Sequence, residues 1–236
     1  MPGTVYLIPT VLHDDVQSLQ VIPLYIVEAV KNCTIFFVEN ERTARRFLKR
    51  IWREMVIDEY TWHTIHKAEE EVQQAFISYL KQNKTIGIIS EAGCPGIADP
   101  GQLLVAAGQM IGAIIKPLVG PSSILLALMA SGMNGQCFQF QGYLPIDNVE
   151  RRKKLKELEI DSQKRHCTQI FIETPYRNNA LVQDVLQTLQ PQTKFCIAVD
   201  ITAASESIVT KTIVAWKRES LPQIHKRPAI FLLYAG

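Results

Sequence analysis

The chain has 236 residues, 47% of them hydrophobic and 20% charged, with a formal net charge of +2. That length holds one large domain or two small ones, and the nearly balanced charge argues for neither nucleic-acid nor membrane affinity on composition alone. The longest apolar run, Ile124 to Ala130, falls far short of the roughly 20 residues a membrane helix needs. The opening Met1-Pro2-Gly3-Thr4 lacks the charged and then apolar pattern of a signal peptide. Five scattered cysteines (Cys33, Cys94, Cys137, Cys167, Cys196) form no CxxC pair. No zinc or redox motif is therefore expected, and the thiols read as small hydrophobes of a reducing cytoplasm.

In chain order, Val5-Tyr6-Leu7-Ile8 reads as a strand stopped by Pro9, and Thr34 to Val38 as a second. Thr85 to Ile89 is a third and Ala113 to Ile115 a fourth. Their near-continuous apolar character is that of strands buried on both faces of a parallel sheet. Helical spacing runs from Glu41 to Arg53, from Lys67 to Gln82 and from Gly101 to Ile111. The alternation indicates an α/β class.

Past Gly120-Pro121 the rhythm changes. Ser122 to Ser131 predicts an apolar helix, Cys137 to Gln141 a strand, and Asn148 to Glu159 a highly charged helix. Thr168 to Glu173 and Lys194 to Val199 read as strands around a helix from Arg177 to Leu189. Ser207 to Val214 and Ala229 to Tyr234 are closing, antiparallel strand candidates. The expected domains are 1–119 and 120–236. Arg151-Arg152-Lys153-Lys154 is the densest charge run, readable as a solvated helix face or as a patch toward RNA.

Three segments carry chemistry. Ser90 to Gly101 (SEAGCPGIADPG) follows a strand and opens a helix. Its glycines permit positive φ and close approach of a ligand, its prolines fix the turn, and Asp99-Pro100 suits a helix start. Ligands of open parallel sheets bind beyond the carboxyl ends of the strands, so the loop suits an extended small molecule such as a nucleoside. A tight turn without a ligand would look the same. Pro117 to Ser123 also joins a strand to a helix, where amides and hydroxyls hold a ligand or simply cap. In Phe171-Ile172-Glu173-Thr174-Pro175-Tyr176-Arg177, the carboxylate of Glu173 is placed to bond a ligand or to cap the next helix.

Together these segments resemble the tetrapyrrole-methylase-fold (class III) methyltransferases. SEAGCPGIADPG is similar to their SDAGTPGISDPG signature, and VGPSSILLALMASGM, FQGYLP, RRKKL and FIETPYR follow in the family's order. The resemblance is specific from about Ile86 onward and weaker from Val5 to His66. It is closest to the branch that methylates a cytidine ribose 2′-hydroxyl in small-subunit ribosomal RNA. It implies a two-domain α/β fold with a mostly parallel N-terminal sheet and a mixed C-terminal sheet. It further implies S-adenosylmethionine in the cleft between the domains, a homodimer, and no metal. The donor-binding positions it implies are Pro9, Ala92, Gly93, Cys94, Ile97, Ser122, Ser123, Glu173, Ala198 and Thr202.

The departures fall on the acceptor side. Pro9-Thr10-Val11-Leu12-His13-Asp14-Asp15 stands where the branch reads like TPIGNLxD, without its glycine and asparagine. Val38 to Ala44 keeps Glu39 and Arg42 of AEDTRHT; Ile65 to Glu69 keeps only His66 of LHEHN; Val199 to Ala203 loses the lysine of RELTK. The chain reaches Gly236 without the further C-terminal segment common in that branch. A hydroxyl acceptor needs a general base near its proton. The candidates are His13, Asp14, Asp15, Glu39 and His66, with Glu39 and His66 ranked first as catalytic because they match retained positions, and Arg42 as a substrate contact. Three functions follow: a ribosomal RNA 2′-O-methyltransferase with a basic face of Arg42, Arg45, Arg46, Lys49, Arg50 and Arg53 joined by Arg151 to Lys154; a methyltransferase of a tetrapyrrole or other small molecule; or a donor-binding module without catalysis.

Overall fold

The computed structural model describes residues 2–15, 17–65 and 70–236, which divide into two compact units, 1–122 and 123–236. The first is a five-stranded sheet of β1 (Thr4–Ile8), β2 (Ile35–Val38), β3 (Thr61–Thr64), β4 (Thr85–Ile89) and β5 (Ile114–Pro117), in the order β3-β2-β4-β1-β5. Every pair is parallel. All the loops after these strands therefore leave from one edge, where an open α/β sheet holds its ligand.

The apolar runs are continuous because both faces are covered. On one face Ile8, Phe36 and Val38 pack with Ile26 and Val30 of α1 (Ile26–Lys31) and Phe47 and Leu48 of α2 (Glu41–Ile51). On the other, Val5, Phe37, Ile86 and Ile88 meet Phe76 and Leu80 of α3 (Glu70–Lys81) and Leu104 of α4 (Gly101–Met110). The predicted start of the third helix, Lys67, lies outside the described residues. The short β3 and α1 have no counterpart in the sequence reading.

The second unit begins with α5 (Ser123–Ser131) and carries a mixed sheet in the order β6-β7-β10-β8-β9. Its strands are β6 (Phe138–Tyr143), β7 (Thr168–Ile172), β8 (Lys194–Val199), β9 (Ser207–Thr212) and β10 (Ala229–Tyr234). β10 is antiparallel to both β7 and β8, and β9 is antiparallel to β8. The core of Phe171, Phe195, Phe231 and Leu233 is covered by α6 (Asn148–Arg165), α7 (Asn178–Thr188) and α8 (Ile213–Trp216).

Helix α6 runs six residues past the predicted Glu159 and closes where His166 turns left-handed at φ 49°. Its Arg151 is no surface cation. The side chain is 6% exposed, donates through Nε to Asp184 Oδ2 at 2.8 Å, and is joined there by Arg152 Nε to Oδ1 at 2.6 Å. The expectation that Arg151 to Lys154 forms a continuous basic face is thereby corrected. A buried carboxylate on α7 demands charged donors, and the first two arginines of the run supply them.

Candidate functional site at the carboxyl edge of the parallel sheet

The loop after β1 leaves through Pro9, and the next residue locks it to the loop after β4. Thr10 N–H donates to the Gly93 carbonyl at 2.9 Å, and the buried Thr10 hydroxyl reaches the Ser90 carbonyl at 3.4 Å. The loop after β5 closes on both. A Cβ at Gly120 would stand 2.1 Å from Pro9 Cβ, so only glycine allows this approach. Cys94 donates its thiol to the carbonyls of Gly120 (3.6 Å) and Pro121 (3.4 Å). Burial pushes that thiol upward, which keeps it a protonated donor rather than a nucleophile.

Gly93 and Gly96 take φ of 74° and 84°, as a loop wound for close approach requires, and Ala98 follows at 62°. Side-chain atoms at Gly93 would meet Leu12 Cδ2 and the Pro121 carbonyl, each at 3.2 Å. Asp99 then ties the loop off. Its carboxylate accepts Gly96 N–H at 2.8 Å and Gly101 N–H at 2.7 Å, from one residue ahead of the N-cap, which is Pro100 rather than the expected Asp99.

Glu39, at the end of β2, joins the same edge. Its backbone N–H bonds the Ile89 carbonyl at 3.3 Å, and its Oε2 accepts Glu91 N–H at 2.5 Å. Glu91 in turn accepts the Thr43 hydroxyl. Burial raises the Glu39 carboxyl above its usual value, and the nearby Asp99 and Glu91 charges add to the rise. Glu91 and Thr43 did not figure among the predicted site residues. The signal for Glu91 was a second acid at the mouth of the loop, beside the glycine that drew attention.

A cavity of about 220 Å³ opens beside this edge, lined by Thr10 to Asp14, Thr43, Arg46, Arg50 and Ser90 to Ala92 among others. Of the predicted bases, His13 and Asp14 line it. Asp14, however, is paired with Arg46 at 2.6 Å and Arg50 at 2.8 Å. Asp15 accepts the Ser18 N–H and hydroxyl, both at 2.6 Å, and these bonds hold its carboxyl below the ordinary value. His66 lies outside the described residues. Arg42 stands exposed in the first turn of α2, while Ile97 is 54% exposed in the loop after β4. The expected six-cation face on α2 is interrupted. Arg45 pairs with Glu41 and lies over the Trp62 ring, Lys49 holds the carbonyls of Arg53 and Met55, and Arg46 and Arg50 turn to Asp14.

In the second unit, β7 and β8 run in one direction on either side of β10, so Glu173 and the turn after Val199 leave from one sheet edge. Glu173 does not cap α7. Its Oε1 accepts Thr174 N–H and the Arg177 guanidinium (2.9 Å from Nε), while Oε2 is buried without a partner. Thr202 takes φ 76°, gives its N–H to Glu206 at 2.7 Å, and also buries a hydroxyl without a partner. Orphaned polar atoms of this kind are costly and rare, and a polar ligand would satisfy them. Ala198 is fully buried with ladder partners on both sides, Ile230 and Ile208. Ser122 closes the first unit and Ser123 begins α5. Among the described residues no group of His, Cys, Asp or Glu could hold a metal ion, and no helix is long and apolar enough to cross a membrane.

The parallel-sheet unit with a wound glycine loop at its carboxyl edge is followed by a mixed-sheet unit, and the family model that this α/β chain matches makes it a methyltransferase. Residues 19–215 match the family described as Tetrapyrrole (Corrin/Porphyrin) Methylases, and the chain belongs to that family. It is 29% identical over 235 residues to the Ribosomal RNA small subunit methyltransferase I of Buchnera aphidicola subsp. Schizaphis graminum, covering 98% of this chain and 78% of that one. Among solved structures it resembles the methyltransferase CobJ, with a TM-score of 0.62, 16% identity and coverage of 98% and 93%. It also resembles the uroporphyrin-III C-methyltransferase of Thermus thermophilus complexed with S-adenosyl homocysteine, with a TM-score of 0.55, 14% identity and coverage of 98% and 97%. Both likenesses concern the fold.

Proposed function

We propose that this chain transfers a methyl group from S-adenosylmethionine to a ribose 2′-hydroxyl of small-subunit ribosomal RNA, working as a cytoplasmic homodimer. The observation that carries the reading is the convergence on Gly93 of three loops, those after β1, β4 and β5, around a left-handed backbone at φ 74° where an added Cβ would press on Leu12 and the Pro121 carbonyl at 3.2 Å. The name of the Buchnera relative supports the acceptor. Within the second unit, the unmet buried atoms of Glu173 and Thr202 fit a polar ligand with hydroxyl or amine groups. Pro9, Ala92, Gly93, Cys94, Ile97 and Ser122 would hold the donor from their loops in the first unit.

The donor supplies a sulfonium-activated methyl group, so the protein's task is alignment and proton removal. In this reading Glu39 is the base. It accepts the hydroxyl proton as the oxygen bonds the methyl carbon and the carbon–sulfur bond breaks. A carboxyl lifted by burial is better matched to that task than an ordinary one. Arg42, exposed on α2, would meet the RNA.

Calorimetry of S-adenosylmethionine and S-adenosylhomocysteine binding tests the donor, with Gly93→Arg as the control that fills the cradle. Methyl transfer to undermethylated small ribosomal subunits, read by ribose-methylation mapping, tests the acceptor. Binding that Gly93→Arg abolishes, together with a new 2′-O-methyl mark, is the expected result. Absence of donor binding to the wild type overturns the whole proposal. Donor binding without transfer to any RNA overturns the catalytic part and leaves a donor-binding module.

A further inference from the structure

We infer that Arg46 and Arg50 form a phosphate clamp, occupied in the free protein by the Asp14 carboxylate and taken over by a phosphodiester of the acceptor RNA. The inference rests on the RNA acceptor proposed above and adds where its backbone is gripped. Arg46 and Arg50 lie one helical turn apart on α2, so their side chains share a face. Both turn to one carboxylate, Arg46 Nη2 to Asp14 Oδ2 at 2.6 Å and Arg50 Nη1 to Oδ1 at 2.8 Å, while Arg50 Nη2 also takes the Asp15 carbonyl. Two guanidinium groups converging on a pair of anionic oxygens is also the geometry that binds phosphate.

Three features make Asp14 a stand-in rather than a permanent partner. Its side chain is 56% exposed and that of Arg46 is 55% exposed; ion pairs so wetted are weak and exchange at small cost. The clamp lines the cavity that also contains Thr43, Ser90 and Glu91. Glu91 gives its N–H to Glu39, so the clamp neighbours the proposed base. A ribose 2′-hydroxyl is always flanked by a phosphodiester, so a chain seated for methylation brings a phosphate close to the reacting oxygen. Glu91 is the opposing charge in the cavity, held by the Thr43 hydroxyl. With Asp14 swung into water, two cations face that single fixed carboxylate.

The test measures binding of a short single-stranded RNA to the full chain across a salt series, with inorganic phosphate as competitor, for wild type, D14N, R46Q and R50Q. D14N frees both guanidinium groups and should bind RNA about three- to tenfold more tightly. R46Q and R50Q should each reduce the slope of log affinity against log salt by about 0.7. Phosphate should compete with RNA, and more strongly in D14N. Slopes unchanged in both arginine variants would overturn the clamp. A D14N variant with a lowered Tm and no gain in affinity would do the same, making Asp14 a tether of the β1 loop to α2. Phosphate binding that follows these charges without displacing RNA would mark a free-phosphate site and also overturn the proposal. Charge-dependent RNA binding without methyl transfer would keep the clamp and remove the catalytic reading, whereas transfer without charge dependence would remove the clamp alone.

Discussion

Gly120→Ala tests whether the three loops after β1, β4 and β5 are wedged together as described. The added Cβ would lie 2.1 Å from Pro9 Cβ and 2.4 Å from its Cγ. Neither atom can swing away. The proline ring is fixed to its own backbone, and Thr10, the next residue, is held by Gly93 at 2.9 Å. Reaching ordinary contact requires the two backbones to part by about 1.5 Å. Overpacking of this kind costs about 2 kcal/mol, which for a chain of this size lowers Tm by about 4–8 °C. The displacement also reaches the loop after β4, because the carbonyls of Gly120 and Pro121 hold Cys94. S-adenosylmethionine affinity should therefore fall by about tenfold, a loss near 1.4 kcal/mol. Differential scanning calorimetry and titration calorimetry read the two effects. Gly135→Ala is the control, since a Cβ there meets nothing within 4 Å and neither quantity should change. A Gly120→Ala protein with wild-type Tm and donor affinity would refute the wedge.

Two further outcomes follow from single side chains. Glu39→Gln should retain donor binding, since its amide oxygen still accepts Glu91 N–H, but should lose at least about 100-fold in methyl transfer. In the wild type the rate should rise with pH through the lifted Glu39 value and then level. A raised carboxyl favours the folded state at low pH and loses that contribution as pH climbs through its folded value. Glu39→Gln should accordingly gain Tm relative to wild type between acid and neutral pH, and an unchanged rate profile would remove Glu39 as the base. Arg151→Met leaves the buried Asp184 to Arg152 alone and should destabilise the protein by about 3 kcal/mol, without altering the salt dependence of RNA binding. Urea denaturation and the same salt series check both halves, and a loss of RNA affinity with intact stability would restore Arg151 to the surface.

The sequence reading succeeded where one residue's neighbours decide its state. β1, β2, β4, β7, β8 and β10 were legible because burial on both faces leaves an uninterrupted apolar run. The wound loop after β4 was legible because positive φ leaves its mark as Gly93 and Gly96. β3 escaped because Thr61-Trp62-His63-Thr64 is only four residues long, its first residue exposed and the rest half-buried, at the sheet edge. α1 escaped because its six residues follow Tyr25, an N-cap position whose side chain makes no capping bond. Arg151 and Arg152 misled for a different reason. Their partner Asp184 lies more than thirty residues away on another helix, and no local pattern announces such a pairing. Ala98 at φ 62° shows the same limit within the loop after β4, since alanine gives no hint of a left-handed backbone.

The contrast between a retained donor side and an altered acceptor side has a physical basis. In the proposed reading donor recognition rests on backbone shape, and Thr10 keeps the loop after β1 tied to Gly93 although the glycine and asparagine of the related branch are absent. In their place Asp14 meets Arg46 and Arg50 of α2 in an exposed, exchangeable pair, and Asp15 accepts the Ser18 N–H at the start of the turn Gln17–Val21. That rebuilding also sorts the candidate bases. Asp14 is engaged by two arginines, and Ser18 holds the Asp15 carboxyl below its ordinary value, which makes Asp15 a poor proton acceptor near neutral pH. Glu39 is shifted the opposite way, by burial and by the charges of Asp99 and Glu91. An acceptor hydroxyl placed at this edge would thus meet one carboxyl tuned toward its proton and two arginines tuned toward its phosphate.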